Sequence, residues 1–408
     1  MAINKKLVVI GGGAAGFFCA VNAARLNPHL KVNIFEKSDK LLSKVKVSGG
    51  GRCNVTHACF DIAEMSKCYP RGGNFVKKIF HGFFTTDTIE WFQNRGVALK
   101  TESDGRMFPA TNASQTIIDC LLKEAAKYNV QIKMQCGIKA ISQTGNSFIL
   151  QTANEEIIEA DYVCVATGGF PKTEMFDWLT STGHTINDPV PSLFTFNLPR
   201  HPITSLMGVS VDSAVIKILG TKLQQKGPVL ITHWGLSGPC VLRLSAWGAR
   251  ELSERKWQFN IIVNWLPGFS EQRLRDEVQH IRFDLAPQRI YHKNPFGLPK
   301  RLWEFLLQQS LIRQETRWAD LASKSQNLLI KNLVNYECAV KGKTTFKEEF
   351  VTAGGVNLSG IDPATMMSKK LPNLYFAGEV IDVDGITGGY NFQNAWSTGF
   401  VAARSIAG

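Results

Sequence analysis

The chain has 408 residues, 44% of them hydrophobic and 20% charged; it is too long for one ordinary core and too apolar to be disordered. Its formal charge of +12 bears on anionic partners such as dinucleotides or RNA and says nothing about fold. Nine cysteines (Cys19, Cys53, Cys59, Cys68, Cys120, Cys136, Cys164, Cys240 and Cys338) are scattered without a CxxC pair, which excludes a disulfide scaffold, argues against a zinc or other metal site, and predicts reduced thiols in the cytoplasm.

In chain order, "LVVIGGGAAGFFCAVNAARL" has the hydropathy of a signal peptide, but its glycine spacing favours a folded element. No other run approaches a membrane span, so no stable membrane association is expected. "KLVVIGG" suits a strand buried on both faces of a parallel sheet. It leads into Gly11, Gly13 and Gly16 at G-x-G-x-x-G spacing, and then into a helix opened by Ala14 and Ala15. Gly11 permits the tight turn, Gly13 admits a pyrophosphate to the helix N-terminus, and Gly16 allows close helix–strand packing. A second strand, "KVNIFEK", ends at Glu36, placed to accept hydrogen bonds from ribose hydroxyls. The whole strand–turn–helix–strand–Glu unit predicts dinucleotide binding, with NAD and FAD both compatible.

"VSGGGRCN" follows, where three glycines imply backbone passing close to a ligand. Arg52 beside them can bond phosphate oxygens. "YPRGGNFVKKIFHGFF" interleaves basic and aromatic residues as nucleic-acid surfaces do, yet Phe75, Ile79 and Phe83 at helical spacing favour a core-facing helix. "ADYVCVATGG" reads as a strand stopping at Thr167 and Gly168, and "LPNLYFAGEV" as one ending at Gly378 and Glu379. "GITGGYNFQNAWSTGFVAARSIA" reads as loop and helix, whose N-terminus can face an electron-rich ring edge. The chain thus returns at its far end to the site where it began.

Between these segments Pro189, Pro191 and Pro199 punctuate the chain, and nucleotide-type glycines vanish until Gly354. "GVSVDSAVIKILG", "GPVLIT" and "KWQFNIIVNWL" suit strands. From about residue 271 Pro299 can start a helix, and Leu302, Leu306, Leu321, Leu328, Leu329 and Leu333 are spaced for helices.

The blocks "GGGAAG", "KVSGGGRCNVT", "ATGG", "THWGLSGP", "TAGGVNL" and "DPATMMSKKLPNLYFAGEVIDVDGITGGYNFQNAWSTG" resemble the bacterial BaiN-like, or aminoacetone-oxidase-like, FAD-binding flavoproteins over nearly the whole chain. The resemblance implies an α/β fold, a Rossmann-type FAD-binding domain (1–188 and 342–408) split by an insertion, which the strand-like and helix-spaced runs above divide into a β-rich subdomain (189–270) and a helical one (271–341). It implies noncovalent FAD held by Gly11, Gly13, Ala14, Ala15, Gly16, Glu36, Lys37, Gly50, Gly51, Arg52, Cys53, Asn54, Ile138, Thr167, Gly168, Gly378, Glu379, Gly388, Gly389, Asn391, Phe392 and Gln393. Cys53 is the candidate catalytic residue, its thiol acidified by Arg52 or else a small buried residue packing on the flavin. His233 and Arg106 match family blocks, and structural roles suit them better than cavity-lining ones.

The expected activity is that of an FAD-dependent oxidoreductase. NAD(P)H would be a transient donor, since no second full G-x-G-x-x-G unit supplies a dedicated domain for it. The resemblance implies reduction of a conjugated carbon–carbon double bond in a small molecule, amine oxidation, or reduction of uridine in ribosomal RNA. The alternative is an RNA- or partner-binding flavoprotein whose FAD is structural or redox-sensing. Between "ATGG" and Gly183–His184 the segment "FPKTEMFDWLTSTGH" departs from the family pattern, being more acidic and aromatic, which detaches substrate preference from the resemblance.

Overall fold

A computed structural model describes residues 5–345 and 351–408. They divide into two compact units, one drawn from Met1–Ser192 and Phe346–Gly408, the other Leu193–Thr345.

The first unit is built on a parallel sheet whose strands run in the order Leu374–Phe376, Tyr162–Val165, Lys6–Ile10, Lys31–Phe35, Gln131–Lys133. Leu7, Val8 and Val9 are fully buried, as expected for a strand covered on both faces. The chain proceeds to one side of Lys6–Ile10 first and to the other later. The crevice between Lys6–Ile10 and Tyr162–Val165 is therefore the topological switch point at which α/β sheets bind ligands.

Helix Ala14–Leu26 follows the glycine turn and packs against the C-terminal helix Tyr390–Ala407. A Cβ on Gly399 would lie 2.8 Å from the Ala15 carbonyl oxygen, so that crossing depends on glycine. Phe18 anchors the contact, its ring 5.2 Å from Trp396, 4.6 Å from Trp91 and 5.4 Å from Phe83. The two ends of the chain thus share one core. Helix Gly73–Phe80 buries Val76, Ile79 and Phe80 and exposes Lys77 and Lys78; the basic-aromatic stretch is a core-facing helix with a solvated side. The chain leaves this unit at Ser192 and resumes its description at Val351. The two residues are partners in the antiparallel ribbon of Ile186–Ser192 and Val351–Val356.

The second unit is an antiparallel sheet of seven strands, including Ser210–Ile218, Gln224–Thr232, Gln258–Asn264 and Tyr336–Lys341. Helices Glu271–Asp284, Lys300–Gln309 and Ser323–Val334 accompany it. The sequence led us to expect two subdomains meeting at residue 270, and here the structure differs. Phe196, Ile216, Val229 and Ile261 of the sheet and Leu274, Leu302, Leu306, Leu329 and Leu333 of the helices belong to one buried cluster. Each amphipathic helix can bury its apolar stripe against the sheet, so a separate helical core is unnecessary. Strand Tyr336–Lys341, inside the stretch read as helical, returns to pair with Gln258–Asn264.

Charge is divided unevenly. Residues 193–345 hold 21 Lys and Arg against 11 Asp and Glu, net +10, while the other 255 residues hold 25 against 23, net +2. Among the described residues no helix is long and apolar enough to cross a membrane, and no cluster of His, Cys, Asp and Glu could hold a metal ion.

Candidate cofactor site

The glycine turn sits at the switch point. Gly11 has φ +115°, and a Cβ there would fall 2.4 Å from the Ala166 carbonyl oxygen, while one on Gly16 would fall 2.0 Å from the Gly11 carbonyl oxygen. Both positions need glycine for close approach of backbone to backbone. Gly13 is different, since a Cβ there would meet nothing within 4 Å. It is the N-cap of Ala14–Leu26, without a side-chain cap and with no acidic residue in the first turn. An uncapped helix N-terminus with room beside its glycine cap is what a pyrophosphate site requires.

Glu36 is fixed beside this turn. Its Oε2 accepts from Gly12 N (2.8 Å), and Oε1 accepts from Ser38 N (2.9 Å) and Ser38 Oγ (2.8 Å). A carboxylate has about four acceptor positions, so one remains for a ribose hydroxyl. Lys37 lies alongside, with its Cβ 3.2 Å from where one on Gly137 would sit, next to Ile138, and its ammonium 5.2 Å from the centre of the Phe170 ring.

Across the crevice, Gly168 (φ +74°) follows Thr167, and a Cβ on Gly168 would meet only Glu379 Oε2, at 4.0 Å. Glu379 binds Lys44 through Oε2 (2.6 Å) and accepts from Thr352 N at Oε1 (2.8 Å). The Thr352 hydroxyl is buried without a hydrogen-bond partner. Sequence reasoning missed Lys44, Ser38 and Thr352. Lys44 stands five residues before the glycine run, a signal passed over because its carboxylate partner is 335 residues away.

The tri-glycine segment closes the site. Helix Ser43–Gly51 breaks at Ser48, and Gly49, Gly50 and Gly51 take φ of +59°, +67° and +83°. A Cβ on Gly49 would strike Phe108, but Gly50 and Gly51 would meet nothing within 4 Å. Open space lies over Gly13, Gly50 and Gly51, and only Glu379 Oε2 approaches Gly168; together they offer the cradle of bare backbone that an extended cofactor needs.

Farther along, Gly388 and Gly389 precede the C-terminal helix, whose N-terminus has neither a side-chain cap nor an acidic first turn. With its amide turned so that both atoms are satisfied, Asn54 ties this turn down, accepting from Gly389 N (3.0 Å) and donating to Thr56 O (3.1 Å). His57 Nδ1 donates to the Gly388 carbonyl at 3.0 Å, and its ring stacks on Tyr390 at 4.8 Å.

Several expected residues have their side chains engaged within the protein. Gln393 is fully buried: its Oε1 accepts from Thr56 Oγ1 (2.6 Å) and Thr88 Oγ1 (3.1 Å), and its Nε2 donates to Ser397 (2.9 Å). Helical periodicity turns it into the core, away from the cradle. The Asn391 amide is closed on the Gly385 N–H and carbonyl. Phe392 stacks on Trp396. Ala15 and Gly378 serve each other's packing, since a Cβ on Gly378 would lie 2.7 Å from that of Ala15. Arg52 binds Glu102 at 2.5 Å and covers the Phe108 ring at 4.0 Å, so its charge is already met within the protein. Arg106 joins the same carboxylates, Glu102 and Asp104. His233 is exposed in the second unit. Cys53 is fully buried, and burial pushes its thiol up to about 12 despite a hydrogen bond with Ser48. The acidified thiol expected beside Arg52 does not form, because the guanidinium is turned onto Phe108 and Glu102.

Residues 5–405 match the family model described as the HI0933-like protein Rossmann domain. The chain belongs to the HI0933-like family. The chain is similar to a 3-dehydro-bile acid delta(4,6)-reductase of Clostridium scindens, 29% identical over 98% of this chain and 99% of that one. It is also similar to the ribosomal RNA dihydrouridine synthase of Haemophilus influenzae, 29% identical over the full length of both. The 3-ketosteroid delta1-dehydrogenase of Sterolibacterium denitrificans shares the fold, with a TM-score of 0.53 at 12% identity over 99% of this chain and 100% of that one. The HI0933-like chain is thus an FAD-dependent oxidoreductase with a Rossmann-type fold. The cradle, the uncapped helix N-terminus, Glu36 and the unpartnered Thr352 hydroxyl suit that cofactor.

Proposed function

We propose that the protein reduces a carbon–carbon double bond conjugated to a carbonyl, with NAD(P)H as a transient electron donor. The observation that carries this reading is the open cradle at the switch point in a chain related end to end to a reductase of such a bond. The uracil ring of uridine carries the same motif, a C5–C6 double bond conjugated to the C4 carbonyl. The ribosomal RNA and bile-acid relatives therefore point to one bond type in two settings. Bound FAD supplies two-electron hydride chemistry. The chain's own groups position it: Glu36 for ribose, the amides after Gly13 for pyrophosphate, and the Gly389 helix N-terminus for developing negative charge. Burial favours the protonated form of the Cys53 thiol, so this reading assigns it no proton transfer.

The concentration of positive charge in the second unit favours the RNA-borne uridine over a free small molecule. The test is anaerobic stopped-flow absorbance of the FAD-loaded protein. NADH or NADPH should bleach the flavin, and ribosomal RNA should restore it faster than a simple enone does. Bleaching by neither nucleotide would overturn the donor, and restoration by the enone alone would overturn the RNA reading.

A further inference from the structure

The net charge of +10 on residues 193–345 has a focus. Three segments far apart in sequence meet at one end of the antiparallel sheet: the turn after Ser210–Ile218, the segment entering Gln258–Asn264, and the end of Tyr336–Lys341. Leu219 N donates to Asn260 O (2.9 Å), Gly342 N donates to Trp257 O (2.8 Å), and Gln258 pairs with Lys341. Arg255 reaches the Gly220 carbonyl at 3.4 Å. These contacts gather Lys222, Arg255, Lys256, Lys341 and Lys343 at that end, with Glu251 and Glu254 as neighbouring carboxylates.

The five are not equivalent. Arg255 is held by Glu251 at 2.6 Å, and Lys343 lies 4.7 Å above the Trp257 ring, where burial lowers its pKa. Lys222, Lys256 and Lys341 are exposed, and among the described residues no carboxylate pairs with them. Lys256 and Trp257 are also consecutive left-handed residues, with φ of +55° and +54°. Bulky side chains are strained in such backbone. Trp257 packs partly buried against the core of the unit and carries the Lys343 ammonium on its ring face, at the edge of the patch. Fixed cations with an aromatic neighbour are the makings of a nucleic-acid surface.

We propose that this end of the sheet, centred on Lys222, Lys256 and Lys341 with Trp257 and Lys343 behind them, docks the phosphate backbone of structured RNA. The proposal rests on the RNA-borne uridine as substrate. It adds that the second unit binds the polyanion through phosphates, independently of base sequence. The charge fits RNA better than an acidic protein segment, because unpaired lysines on a rigid sheet end gain most from counterion release along a dense row of phosphates.

The test uses the FAD-loaded full chain and a labelled stem-loop RNA, with affinity measured against salt. The triple variant Lys222→Glu, Lys256→Glu, Lys341→Glu should bind at least about tenfold more weakly and lose about three from the slope of log K against log salt. Its FAD content and its NADPH-driven reduction of a small enone should stay at the parental level. Unchanged RNA affinity and slope would overturn the patch, as would polyglutamate or anionic vesicles binding the parent more tightly than RNA does. RNA bound through this patch but never reduced would leave the patch standing and sink the uridine reading.

Discussion

The two units of this protein handle negative charge in opposite ways. The first is nearly neutral, at net +2, and makes its anion site from backbone: uncapped helix N-termini and glycines that leave room. The second, at net +10, presents side-chain cations on a sheet end. Backbone amides at a fixed turn suit one ligand in one pose, whereas lysines in solvent suit a long polyanion that slides and is sensitive to salt. The difference teaches that the overall charge of +12 says little about the cofactor, and that tight steric constraint belongs to the first unit.

The comparison breaks most visibly at its glycines. Gly16→Val in the first unit drives a side chain into the Gly11 carbonyl, 2.0 Å from its Cβ. Gly268→Val in the second unit meets nothing within 4 Å. The former should cost more than about 3 kcal/mol and abolish bound FAD, while the latter stays within about 1 kcal/mol. Flavin-to-protein absorbance ratios and urea midpoints check both. Equal losses would mean that the glycines of the first unit are not held to a special geometry.

A second contrast concerns pH. His184 in the first unit is 3% exposed, lies 2.7 Å from Thr182 Oγ1 and 2.8 Å from Ser368 Oγ, and burial lowers its pKa to about 4. Its unfolded form binds a proton near pH 6.5. Its contribution to stability is therefore present above about 6.5 and is lost as pH falls toward 4. Between pH 7 and pH 5 the loss should be about 2 kcal/mol. Urea unfolding at the two pH values should show it in the parent and a flatter dependence in His184→Gln. A parent whose stability is level across that interval would contradict the buried neutral imidazole.

The parts of this fold legible in the sequence were those carried by local pattern. The strand Lys6–Ile10, the turn Gly11–Gly16 and the carboxylate of Glu36 follow from period, glycine spacing and chain distance. What was not legible depends on partners far away in the chain. Lys44 gains its meaning only through Glu379, Gln393 looked like a ligand until Thr56 and Thr88 were seen to occupy it, and Arg52 beside the glycines is claimed by Glu102. The single core of the inserted unit was hidden for the same reason. An amphipathic helix reveals that it has an apolar face, and its sequence does not say what covers it.

Glu379 sharpens the comparison on a smaller scale. Glu379→Ala removes the carboxylate that accepts from Lys44 and from Thr352 N at the crevice. FAD affinity should fall about tenfold, equivalent to about 1.4 kcal/mol. Lys222→Glu, in the basic patch, should leave FAD affinity unchanged. Titration of the apoprotein with FAD, followed by flavin fluorescence, separates them. An equal effect from both would show that flavin binding responds to overall charge and not to the geometry of the crevice.

The smallest effect is expected at Cys53, the catalytic candidate named from the sequence. A thiol held at about 12 is almost entirely protonated at neutral pH, and as a general acid it is mismatched by several pH units to the work. It is fully buried, and its backbone has φ +61°, so its place follows from the turn that carries Gly49–Gly51. Cys53→Ala removes the sulfur and keeps a residue that meets the same backbone strain. Turnover of an enone should therefore change less than about threefold, and the pH profile should not move. A fall of about 100-fold with FAD still bound would put the sulfur back among the reacting groups, and with it the idea that the first unit works through backbone alone.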